Sequence, residues 1–232
     1  MLDISDFRTE RLIFECKYPA AYRFWDTAGT IASELMEHWP GLQPINVMPG
    51  NIGFQMPKKF VFSVEVGRSS ITFFLPDATT AVAEESDLFF RTITKHIQIS
   101  LIERLGLRFQ CFKELSDRRS SACLLLSTGL LKLPEERVFG AEGDPVAAEV
   151  LVTFEGKGLG GTFKLASQSR QLNVELPPEF PAPENMKFKM DGLLLDVDLF
   201  TTTPFSISMV GVKEWIEQAL HVFKRDVSKF LR

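Results

Sequence analysis

The sequence predicts a two-layer α+β protein, with a predominantly antiparallel sheet and long helices packed on one face. Three observations carry this expectation. Segments that alternate apolar and polar residues follow one another directly, as in "KFVFSVEVGRSSITFFL", so strands are joined as hairpins. Three other segments, 21–39, 86–105 and 211–231, carry apolar stripes at three- and four-residue spacing, the mark of amphipathic helices. Phe is overused, 21 residues against 2 Tyr and 3 Trp, and a ring without a polar handle suits a layer buried between sheet and helices.

The first strand is expected over residues 11–18, where Leu12, Phe14 and Cys16 share one face and Ile13, Glu15 and Lys17 the other. Pro19 then suits a helix start, and Trp25, Ala28, Ala32, Leu35, Met36 and Trp39 form a stripe that Pro40-Gly41 ends. In the hairpin that follows, Phe60, Phe62, Val64 and Val66 run out, "GRSS" turns, and Ile71, Phe73 and Leu75 run back. "TTAVAEE", residues 79–85, reads as a short strand. Ser86 is the expected cap of the second helix, with Phe90, Ile93, Ile97, Leu101 and Leu105 as its stripe and Gly106 as its stop.

At residue 107 an earlier phrase returns: Leu107, Phe109 and Cys111 alternate as Leu12, Phe14 and Cys16 do. A helix or loop over "SDRRSSACLLLSTGLLKLP" follows. Strands are then expected around Val150–Phe154, Thr162–Ala166, Leu172–Leu176 and Leu193–Phe200. The proline-rich "LPPEFPAPEN" reads as an extended, exposed connector. The closing helix has the clearest stripe, running from Val212 through Trp215, Ile216, Ala219, Leu220, Phe223, Val227 and Phe230 to Leu231. The recurrence of strand, helix, strands and helix suggests an internal duplication. It divides the chain into two similar halves, 1–105 and 106–232, fused into one compact unit.

Bulk properties narrow the function classes. The net charge is −4, from 26 basic and 30 acidic side chains, which supplies no basic footprint for nucleic acid. No apolar run approaches the roughly 20 residues of a membrane span, and "MLDISDFRTERL" is not a secretory signal, so a cytoplasmic protein is expected. Cys16, Cys111 and Cys123 lack metal-site spacing and read as buried, inert space-fillers. No cofactor motif is present.

The segments "ERLGLRF", "NIGFQMPKKFVFSVEVG", "GLLLDVDLF" and "VKEWIEQALHVFKRDV" stand in the order and spacing found in a sporadically distributed family of uncharacterised bacterial proteins. The chain resembles that family over nearly its whole length. It departs at Phe109-Gln110-Cys111, where such proteins place an aromatic and then Asn, and at "ACLLLSTGLL", where they are more polar. The resemblance implies architecture and no established activity, and so carries over no catalytic residue.

Candidate chemistry is sparse. Asp196 and Asp198 in "LLLDVDLF" share one face of a strand, where two carboxylates could hold a divalent cation for a nucleotide or phosphoester enzyme. The plainer reading buries Leu193, Leu195, Val197 and Leu199 and leaves both acids in water. "EGKGLGG", residues 155–161, lacks the Lys-Ser/Thr ending of a phosphate loop and reads as a hairpin turn. Arg118 and Arg119 could meet an anion or an acidic partner, or simply open a solvated helix. His38, His96 and His221 are far apart, with no ligand partner recognised at i+3 or i+4.

With no convergent catalytic set, the expected function is a non-enzymatic binding or adaptor protein, an accessory component of a bacterial defence or toxin–immunity locus. Its partner would be a protein, or a second copy of itself in a homodimer. Partner-facing surface is expected at sheet edges or at "INVMPGNIGF", residues 45–54. The alternatives are the metal-dependent enzyme at Asp196 and Asp198, and a carrier holding an apolar ligand in a Phe-lined cavity.

Overall fold

The computed structural model describes residues 2–76, 79–132, 145–174, 186–209 and 211–231. β1 (Arg8–Lys17) follows the period-two pattern: Leu12, Phe14 and Cys16 are buried while Ile13 and Glu15 face the other way. After helix α1 (Phe24–His38), the chain runs through β2 (Gln43–Met48), β3 (Asn51–Met56), β4 (Phe60–Glu65) and β5 (Arg68–Phe74), an antiparallel meander of tight turns. α2 (Thr79–Ile97), the two-residue β6 (Leu101–Ile102) and β7 (Arg104–Leu115) follow. α3 (Arg118–Ser127) leads to β8 (Glu149–Glu155), β9 (Gly160–Val174) and β10 (Met186–Phe200). The short β11 (Phe205–Ser206) pairs with β6, and α4 (Val212–Val222) continues through a π-turn, Phe223–Val227, to Phe230.

Nine strands form one antiparallel sheet in the order β2-β3-β4-β5-β1-β7-β10-β9-β8. The earliest strand is therefore the middle of the sheet, between β5 and β7. The two copies of the Leu-x-Phe-x-Cys phrase lie side by side and antiparallel, Leu12 opposite Phe109 and Phe14 opposite Leu107. The expected boundary between residues 105 and 106 falls inside β7, a central strand of the continuous sheet.

One face carries the helices. α2 packs between α1 and α4, and their apolar stripes join Phe14, Phe62, Leu107, Phe109, Leu195 and Val197 in one buried cluster. Phe62 stacks on Phe89 of α2 at 4.6 Å, and Phe109 stacks on Phe223 at 3.8 Å. Phe thus fills the layer as its overuse predicts. Among the described residues no helix is long and apolar enough to cross a membrane.

Several expectations are corrected. "TTAVAEE" is the start of α2 and not a strand, since Val82 and Ala83 extend the stripe of Phe89, Phe90, Ile93 and Ile97 backwards. Ser86 lies within that helix, fully buried, and does not cap it. The helix also ends earlier than expected. Gln98 takes a left-handed φ of 58°, and Leu105 belongs to the alternation 105, 107, 109, 111 of β7. Spacing of four between Ile97, Leu101 and Leu105 imitates a helix because Leu105 fits both periods. Trp25 and Met36 leave the predicted stripe of α1 for the surface, while Leu35 stays buried and is joined in the interior by Phe24 and Ile31. Cys123 is exposed, unlike its two counterparts. "EGKGLGG" is the hairpin turn between β8 and β9, with Gly158 at a φ of 84° that a side chain would disfavour. Residues 176–185, expected as a connector, lie outside the described residues.

Candidate functional site

The sheet face opposite the helices carries polar residues, and its midline holds the two predicted carboxylates. Asp196 and Asp198 do point the same way from β10, as alternation requires. They are not left in water. Arg108, directly across β7 from Asp198, forks onto Asp196 through Nε to Oδ1 at 2.8 Å and Nη2 to Oδ2 at 2.6 Å. Arg104 Nη2 reaches Asp198 Oδ2 at 2.6 Å, and its Nη1 reaches Glu15 on β1 at 3.1 Å. The result is a ladder of alternating charge across three strands.

Gly106 makes the ladder possible. It pairs with Glu15 on one side and Phe200 on the other, and a Cβ built on it would stand 2.5 Å from Arg104 Nη1. The bare backbone leaves room for the guanidinium, which also lies over the Phe200 ring at 4.6 Å. The residue read as a helix stop is therefore a seat for Arg104.

Burial sets the electrostatics of this ladder. Desolvation raises the Asp198 carboxyl above its ordinary range, with Arg104 pulling in the opposite direction. Hydrogen bonding to Asp196 raises Arg108 further above its already high value. A cation entering between the two aspartates would first have to displace both guanidiniums, and each displacement leaves a half-buried charge without its partner. Among the described residues no group of three or more His, Cys, Asp or Glu has an arrangement that could hold a metal ion.

The other candidates are dispersed. Burial pushes the Cys16 thiol well up, and pushes that of Cys111 up to about 11, so neither supplies a thiolate near neutral pH. Cys111 lies 3.6 Å from the Thr9 hydroxyl, across the neighbouring strand. Arg118 and Arg119 occupy the exposed first turn of α3, behind Asp117, whose carboxylate caps the helix by accepting from the Ser120 N–H. His38 and His96 meet around one carboxylate, a convergence the sequence reading missed although Glu34 stands four residues before His38. Glu34 pairs with His96 at 2.6 Å and Lys95 at 2.8 Å, with His38 at 3.9 Å, and so ties α1 to α2. The hydrogen bonds from Lys95 and from His96 hold the Glu34 carboxyl down at about 2.

The surface with spare binding capacity lies at the β2 end of the sheet. β2 is terminal, all six of its residues are uncharged, and Val47 and Met48 are 71% and 61% exposed. Pro44 and a register shift beside it blunt the start of the strand and leave Asn46–Met48 as straight edge. Trp25 on α1, 61% exposed, stands across from them over a groove of about 530 Å³ floored by Phe24, Ala28 and Ile52. Tyr22 supports the indole, with ring centroids 5.4 Å apart. Segment 45–54, expected as an apolar partner-facing loop, is this hairpin. Trp25 was the residue missed, because Phe24 beside it competes for the same helical stripe. Comparison with protein-family models, with curated proteins and with solved structures finds no match to this chain.

Proposed function

We propose that the chain is a non-enzymatic binding or adaptor protein that takes an extended apolar segment of another protein at its β2 edge. The absence of a convergent catalytic set, the core-dominated composition and the sporadic distribution of the family it resembles suit an accessory role in a bacterial defence or toxin–immunity locus. The observation that carries the binding reading is the uncharged edge strand facing Trp25 across an open groove. A strand edge offers backbone hydrogen bonds to a partner strand, and a neighbouring apolar groove receives its alternate side chains. Trp, Tyr and Met are side chains that interfaces favour, and here all three are exposed together. A charged partner gains nothing at β2, which has no charge to answer it.

The test is selection from a display library of random peptides on the wild-type protein and on Val47→Asp. Enrichment of sequences that alternate apolar residues, bound about ten-fold or more weakly by Val47→Asp, is the expected result. Equal binding of the enriched sequences to both proteins would sink the reading.

A further inference from the structure

The opposite end of the sheet holds a second site of different shape. β8 is terminal there, and among the described residues no strand pairs with its outer side. Alternation turns Val152 and Phe154 toward the helix face, where they are 39% and 44% exposed. They form one wall of an apolar pocket of about 80 Å³, opposed by Val227 and Phe230 and floored by Phe163 and Leu199. The π-turn Phe223–Val227 builds the far wall. Phe223 is held flat on Phe109, and Phe230 is tilted on Phe163 with centroids 4.1 Å apart, so the walls are formed before anything enters.

Size decides the occupant. An apolar cavity of roughly 150 Å³ accepts benzene, and free ligands of drug size occupy pockets of roughly 300–1,000 Å³. A pocket of about 80 Å³ has room for an isopropyl or isobutyl group and little more. It also opens along a strand edge, where a partner's side chain arrives already attached to a backbone that can pair.

We propose that β8 accepts an extended segment of a partner protein as an added strand, with one valine or leucine side chain seated in this pocket. Charge adds direction. Glu149 at the start of β8 is answered by Lys164 at 2.8 Å, whereas Glu155 at its end is exposed, so a Lys or Arg of the segment belongs beside Glu155. The site goes beyond the β2 reading, does not require it, and together with it makes the chain bivalent.

The probe is a fluorescein-labelled synthetic peptide, Thr-Val-Thr-Leu-Thr-Val-Lys, followed by anisotropy on the Val47→Asp protein, which silences the β2 groove. Saturable binding is expected, weakened about ten-fold or more by adding Val222→Phe, which fills the pocket from the helix, and equally by replacing the peptide's Leu with Asp. Near-UV circular dichroism checks that the filled variant is folded, and Val152→Asp on the open wall replaces it if it is not. Absence of saturable binding to Val47→Asp, or binding indifferent to both pocket variants, overturns the proposal. Neither outcome touches the β2 site, which the wild-type selection tests separately.

Discussion

At the midline of the open sheet face, Arg104 bridges Glu15 and Asp198, and Arg108 forks onto Asp196, all within 3.1 Å. At the margins, β2 and β8 instead present Val47, Met48, Leu151 and Phe154 to solvent. The midline is rich in chemical groups and poor in spare bonding capacity, since a new ligand must break an existing pair for every one it makes. The margins hold only Glu149 and Glu155 as charged groups, yet they offer apolar area and backbone edges that nothing described has taken up. Reactive residue types are thus a poor guide to function here, and unsatisfied surface is a better one.

The comparison can be broken by substitutions, beginning with the interior beneath the midline. Phe14→Ala, at a fully buried position, should cost about 3–5 kcal/mol in urea unfolding. A loss below about 1 kcal/mol would mean that the centre is no better packed than the margins. Arg108→Ala leaves the Asp196 carboxylate, 9% exposed, without its fork and should cost about 2 kcal/mol by the same measurement. Gly106→Ala should cost about 1 kcal/mol by pushing Arg104 off Glu15 and Asp198. Arg104→Met should then add little in the Gly106→Ala background, and a fully additive double mutant would disprove the seating role.

A smaller effect concerns the helix that carries Trp25. Because its folded-state value lies below the ordinary 4.5, ionised Glu34 stabilises the fold above that value, and its contribution fades as pH falls towards about 2. Glu34→Gln should therefore show a shallower loss of thermal stability than wild type across that interval. An unchanged slope would remove Glu34 as a link between α1 and α2. The smallest effect belongs to the margin itself. Val47→Asp should change stability by no more than about 0.5 kcal/mol while weakening peptide capture. A large destabilisation would show that β2 is structural, and the contrast would fail.

Much of this was legible in the residues. Alternation located β1, β4, β5 and β7, and placed Phe14 and Phe109 inside, because burying one face of a strand demands period two. Helix ends were harder: Leu105 satisfies both periods, and only a chain reversal at Gln98, which no local residue type announces, separates them. The carboxylate pair was found, but not its partners, since Arg104 and Arg108 lie about ninety residues before Asp198 and Asp196. Trp25 was assigned inward because a helix offers Phe24 and Trp25 equally to a stripe, and tertiary packing makes the choice. Segment 45–54 was legible as exposed and apolar, but as a loop and not as the β2–β3 hairpin. Its groove was not, being formed with a helix from another part of the chain.

The central place of β1 has a consequence for synthesis. When residues 1–75 have left the ribosome, β1 can pair with β5, but its other side waits for β7, nearly one hundred residues downstream. Until then the nascent chain displays a long unpaired strand edge beside the apolar face of Leu12, Phe14 and Cys16, of the kind that recruits chaperones or neighbouring chains. Contacts so distant in sequence also slow closure of the finished sheet.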